Sequence, residues 1–153
     1  MTGKFAPIPL RQQLKLILSE LSDKGTVFGI PRELFFIAEE NTALSTDIFG
    51  HRLQSPVGVA AGPHTQMAQN IVAAWLSGAR YIELKTIQTL DELEVPKPCI
   101  DMQDEGYNCE WSQELKVSES FSEYLDAWII IHILNHRLGW GYQPGVVFNM
   151  SVG

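Results

Sequence analysis

Residues 56–62 read Pro56-Val57-Gly58-Val59-Ala60-Ala61-Gly62. A short run without a polar side chain, bounded by Pro and Gly, is the pattern of a strand buried on both faces, as parallel strands are. Its residues are small, so another backbone or a ligand has room to approach. A helix is expected next over Gln66 to Ser77, with Met67, Ile71, Ala74, Trp75 and Leu76 on its buried side and Gly78 as its cap. A second strand is expected over Arg80 to Thr86, where period two puts Tyr81, Glu83 and Lys85 on one face.

Further along, Pro98-Cys99-Ile100-Asp101 reads as another short strand, followed by a polar loop from Met102 to about Val117. Ser118 to Arg137 is the strongest helical pattern, with Phe121, Tyr124, Leu125, Trp128, Ile129 and His132 along one side and Gly139 at its end. Val146-Val147-Phe148-Asn149-Met150 reads as a last strand. Upstream, Leu44 to Phe49 and His51 to Leu53 flank Gly50 as a small hairpin. A first helix runs from Pro9 to about Asp23, with Leu10, Leu14, Ile17, Leu18 and Leu21 as its apolar stripe and Gly25 as its stop. Gly29-Ile30-Pro31 reads as a turn into a short helix through Phe36.

Strands alternating with helices imply an α/β fold with a parallel sheet. No Gly-x-Gly-x-x-Gly follows the first apolar strand, which disfavours a dinucleotide-binding doubly wound sheet and favours a (β/α)8 barrel. Such a barrel needs about 250 residues, and this chain has 153. The expectation is therefore the N-terminal half of a TIM barrel over residues 44–153, incomplete and truncated at Gly153, behind a helical extension over residues 1–43.

Composition narrows the function. Eleven Lys and Arg against eighteen Asp and Glu leave a net charge of −7, which argues against wrapping nucleic acid or binding anionic lipid. Two cysteines cannot form a disulfide scaffold, and they fit a reducing compartment. The most apolar run, Ala127 to Leu134, is too short to span a bilayer. A soluble cytoplasmic protein is expected.

Several segments carry a resemblance. Ser55 to Gly62 after a hairpin resembles the first barrel strand of dihydroorotate-dehydrogenase-like flavoproteins, Glu83-Leu84-Lys85-Thr86 their second, and Phe148-Asn149-Met150-Ser151 their Asn-Ile-Ser strand. Gly62 to Val72, Tyr81 to Thr86, Lys97 to Asp101, Glu110-Trp111-Ser112 and Phe148 to Gly153, in that order, resemble the N-terminal part of the selenate reductase iron–sulfur flavoprotein subunit family. The resemblance implies an FMN-linked oxidoreductase barrel at the start of a longer protein. The later parts of such proteins hold NAD(P)H- and FAD-binding regions and iron–sulfur clusters. The implied partners are the remaining half of the barrel, those electron-transfer domains and a small-molecule substrate.

The resemblance also assigns residues. The Ala60, Ala61 and Gly62 backbone would pass beside the flavin ring; the alternative is tight helix–strand packing. Lys85 would sit at the flavin's pyrimidine edge, where reduction places negative charge; the alternative is an ion pair with Glu83 or a neighbouring strand. Thr86 would hydrogen-bond the same group. Asn149 would use its donor and acceptor on the flavin edge or a planar substrate, unless it only forms a turn. Asn108, in the long loop, and His64, after the first strand, are substrate candidates; His64 could instead bond to backbone. The general acid or base, and the flavin phosphate site, lie beyond Gly153 in this family.

Other candidates read as structural. His132 and His136 have the i, i+4 spacing of metal ligands, but no third ligand accompanies them in an apolar helix. Cys99 and Cys109 lack cluster-ligand spacing. Asp101, Asp104, Glu105 and Glu110 read as a solvated loop face. Two other functions stay open beside the oxidoreductase: a non-catalytic docking module of a multisubunit electron-transfer protein, and a self-contained small α/β protein.

Overall fold

The computed structural model of the chain describes residues 5–37, 43–89, 100–101, 107–108, 114–141 and 144–152. The elements are α1 (Leu10–Asp23), β1 (Thr26–Val27), β2 (Ile30–Pro31), β3 (Thr46–Ile48), β4 (His51–Leu53), β5 (Gly58–Val59), α2 (Ala68–Leu76), β6 (Tyr81–Ile87), β7 (Ile100–Asp101), β8 (Tyr107–Asn108), α3 (Val117–Leu138) and β9 (Val147–Val152). Two 3-10 turns, Arg32–Leu34 and Pro63–Gln66, complete the order.

The parallel sheet has three strands in the order β5-β6-β9. Gly58 pairs with Tyr81, and Tyr81 with Val147; further along, Glu83 pairs with Asn149. Strands adjacent in space in the same order as in sequence, each separated by a helix, form the repeating unit of a (β/α) barrel. The register of β6 and β9 shifts between Leu84 and Ile87, a local irregularity at the C-terminal end of the sheet.

Period two divides β6 between two environments. Ile82 and Leu84 are buried in the core that α2 and α3 cover, while Tyr81 and Glu83 on the opposite face are half-buried. Trp75, Ile71, Leu76, Ile130, Ile131 and Leu134 fill the helix side of that core. Ile17 of α1 and Phe35 belong to the same cluster. The centroids of Trp75 and Trp140 lie 5.4 Å apart, and Phe35 meets Trp140 edge-on at 5.8 Å.

The opposite end of the sheet is closed by β3 and β4. Phe49 at their turn meets Tyr81, the first residue of β6, at 6.5 Å. Behind them Arg80 is 1% exposed and has three acceptors: Gln54 Oε1 at 3.0 Å, the Trp75 carbonyl at 2.6 Å and the Ala79 carbonyl at 3.0 Å. Its guanidinium also stacks on Phe36 and Trp75. Burial pushes its pKa down to about 10, so it remains charged at neutral pH.

Several sequence expectations need correction. The run from Pro56 to Gly62 forms only a two-residue strand and is not buried on both faces: Val57, Gly58 and Ala60 are exposed and Val59 is half-buried. Of the strand expected over Pro98 to Asp101, Ile100–Asp101 is described and is a strand, but it pairs antiparallel with Tyr107–Asn108, inside the expected loop. Gly29-Ile30-Pro31 is part of the β1–β2 hairpin, because Phe28 and Gly29 both take positive φ. On α3 the buried line runs through Ser120, Glu123, Tyr124, Ala127, Ile131 and Leu134. Phe121 is 63% exposed and Leu125 44%. This helix is apolar on most sides, so its period could not tell which side faces the sheet. Leu18 of α1 is likewise exposed.

Candidate functional site at the strand ends

The site is assembled where the three parallel strands reach their C-terminal ends. After β5 the chain passes through Ala60, which is exposed, Ala61, half-buried, and Gly62, buried. The backbone at Gly62 is extended, with φ −166°, so conformational freedom does not explain the glycine. Space does: a Cβ there would lie 2.6 Å from His64 Cε1 and 2.8 Å from Nδ1. The His64 ring is folded back over Gly62.

The Pro63–Gln66 turn that carries His64 is closed by Thr65. Its hydroxyl donates to the Gly62 carbonyl at 3.0 Å and accepts the Gly62 N–H at 3.1 Å. Thr65 is 1% exposed, so these bonds are shielded from water. Pro63 stands at the first position of the turn, where its missing N–H costs nothing.

Lys85 lies near the end of the central strand and is 1% exposed. Its backbone carbonyl accepts the Tyr124 hydroxyl of α3 at 2.8 Å. Its charge reaches His64. The imidazole is held below the usual histidine range, first by burial and then by repulsion from Lys85, while a backbone hydrogen bond with Ala60 opposes both. His64 is therefore biased toward the neutral form, which offers one donor and one acceptor.

The remaining candidates fall into three groups. Thr86 follows Lys85 and is half-buried. Asn149 sits one strand over, half-buried and in register with Glu83, so it occupies the same level of the sheet as the acidic residue. Asn108 belongs to the β7–β8 hairpin, where it pairs with Ile100 outside the parallel sheet. Thus Ala60, Ala61, Gly62, His64, Lys85 and Thr86 gather at adjoining strand ends, with Asn149 beside them on the third strand. Cys99, Asp104, Glu105, Cys109 and Glu110 lie outside the described residues.

His132 stacks on Trp128 at 4.7 Å, and among the described residues no group of three His, Cys, Asp or Glu could hold a metal. No described helix is long and apolar enough to cross a membrane.

Sequence reasoning missed a polar layer beneath the turn. Glu123 is 1% exposed, and its Oε2 accepts the Ala68 N–H at 2.6 Å. Gln66 is fully buried, and its Oε1 accepts the Glu114 N–H at 2.6 Å. The available signal was a carboxylate at 123 beside Tyr124 and Ala127 in the most apolar helix.

An open sheet face of small residues, next to a buried cation and a neutral imidazole, suits a planar, partly anionic group. The family model described as "Oxidoreductase YgfK, N-terminal TIM-barrel domain" matches residues 28–153. Two curated proteins, each named "Putative oxidoreductase YgfK", come from Escherichia coli strain K12 and Escherichia coli O157:H7. Each is 46% identical over 152 residues, covering 96% of this chain. The chain spans 14% of the length of these relatives. No solved structure matches it significantly.

Proposed function

The chain belongs to the family of the oxidoreductase YgfK N-terminal TIM-barrel domain, and on that premise we propose that it forms the first part of an FMN-linked barrel. The barrel would serve a longer cytoplasmic electron-transfer protein of the iron–sulfur flavoprotein kind. The observation that carries this reading is Lys85: an ammonium 1% exposed at the end of the central parallel strand, at the barrel face where such folds bind ligands.

The residues present fit the cofactor. Ala60 and Gly58 leave the β5 edge of the open face without bulky side chains, and both are exposed. Lys85 would hold the electron-rich edge of the ring, with Thr86 and Asn149 as hydrogen-bonding partners. His64, kept neutral, would face the substrate side. Bound FMN supplies transfer of one or two electrons. The protein's part is to bind the group, fix its orientation and supply positive charge beside it. The substrate is a small molecule.

The test is flavin content. Full-length protein purified without added cofactor is denatured, and released flavin is separated and quantified. Stoichiometric FMN, reduced several-fold by Lys85→Ala, supports the reading. Absence of flavin, or content and absorption spectrum unaltered by Lys85→Ala, rejects it in favour of a structural module.

A further inference from the structure

The turn that carries His64 is pinned from below by the start of α3. The first N–H of a helix has no acceptor within that helix. For α2 that group is Ala68 N–H, and the preceding Met67 has no side-chain oxygen to cap it. Glu123, from a different helix, supplies the acceptor at 2.6 Å. The Gln66 bond to Glu114 N–H is a second tie between the same two segments.

This arrangement is not the most stable use of the space. Burial raises the Glu123 pKa, the bond to Ala68 opposes that rise, and Asp126 and Glu119 on the same helix add to it by repulsion. Gln66 Nε2 and Ser120 Oγ are also buried without a partner among the protein groups. Each such atom is costly. An apolar residue at 123 would avoid the carboxylate's cost but release the turn. The turn spans only the five residues between Gly62 and Ala68, which sets His64 four positions from the Glu123 bond.

We propose that Glu123 is a positioning residue for the strand-end site: its carboxylate, bonded to Ala68, fixes the Pro63–Gln66 turn so that His64 stays over Gly62. The reading of the strand ends as a flavin site gives His64 its meaning. The positional effect itself does not require bound flavin.

The experiment reads the titration of His64 directly. Full-length protein is treated with diethyl pyrocarbonate over a range of pH, and each histidine's modification is measured by peptide mass spectrometry. His51 and His136, which are exposed as His64 is, serve as references within the same molecules. Burial and Lys85 depress the His64 midpoint in the wild type. Glu123→Ala moves that midpoint upward, because a released turn is better solvated and further from Lys85. Glu123→Gln, which keeps an acceptor for Ala68, restores it. Glu123→Asp keeps the charge but withdraws the acceptor by one methylene; it shifts the midpoint in the same direction and decides the matter should the alanine variant fail to fold. A His64 midpoint unmoved in the folded variants overturns the proposal. Flavin content of the same preparations is a separate readout, so failure of the flavin reading leaves the His64 result standing.

Discussion

The hydroxyl of Tyr124 donates to the backbone carbonyl of Lys85 at 2.8 Å across a buried helix–strand contact. Tyr124 is 7% exposed, and burial pushes its phenol pKa well above the ordinary value, so it acts as a donor throughout the physiological range. Tyr124→Phe keeps the ring and removes that donor from the carbonyl. The expected loss is about 1–3 kcal/mol of stability, read by denaturant unfolding.

Ala60 is exposed on the open sheet face. Ala60→Leu therefore leaves unfolding nearly unchanged, since no core contact is disturbed. If a flavin ring lies against this backbone, retained flavin falls several-fold in the full-length protein. Undiminished flavin content in Ala60→Leu would place the ring elsewhere.

Gly58 and Gly62 respond differently to the same added methyl. A Cβ at Gly58 would lie 2.8 Å from the Tyr81 carbonyl oxygen, which is backbone in the neighbouring strand. Gly58→Ala is expected to cost about 1–3 kcal/mol through overpacking. At Gly62 the neighbour is the His64 ring, a side chain that can swing away at the cost of its bond with Ala60. Gly62→Ala leaves stability close to the wild type and makes His64 react faster with diethyl pyrocarbonate. Equal thermal stability of the two variants would contradict the contrast.

Arg80 joins α2, the end of β4 and the Phe36 ring through one guanidinium. Arg80→Lys keeps the charge but cannot serve the three acceptors in the fork geometry. About 2 kcal/mol of destabilisation is expected for Lys and more for Ala, because Gln54 and the Trp75 and Ala79 carbonyls lose the guanidinium as donor. A lysine variant as stable as the wild type would show that charge alone suffices there.

The raised pKa of Glu123 fixes the sign of a pH effect. A carboxyl that titrates higher in the folded state than in the unfolded state holds more protons when folded. Its contribution to stability is therefore best below the ordinary carboxylate range and declines as pH rises through the elevated value. The stability of wild type minus that of Glu123→Gln should fall as pH rises from the ordinary carboxylate range through the elevated value, and then level off. A difference that rises over this interval would reverse the assignment of desolvation as the leading cause.

The sequence by itself determined the kind of fold. Apolar runs of strand length, separated by helices, led to the parallel order later seen in β5, β6 and β9. The placement of Lys85 near a strand end, and of Ala60–Gly62 at another, was legible because strand periodicity is strict and strand ends follow from it. Three matters were decided only by tertiary structure. Which side of α3 is buried depends on its neighbours, since Phe121, Leu125 and Trp128 look as apolar as Ile130 and Ile131 in the chain. The pairing of Ile100–Asp101 with Tyr107–Asn108, rather than with the main sheet, depends on where the chain returns. The bond from Glu123 to Ala68 joins residues 55 positions apart. Local patterns record which face of an element is apolar. They carry no record of which distant backbone group will be left without a partner, and that is set only when helices and strands pack.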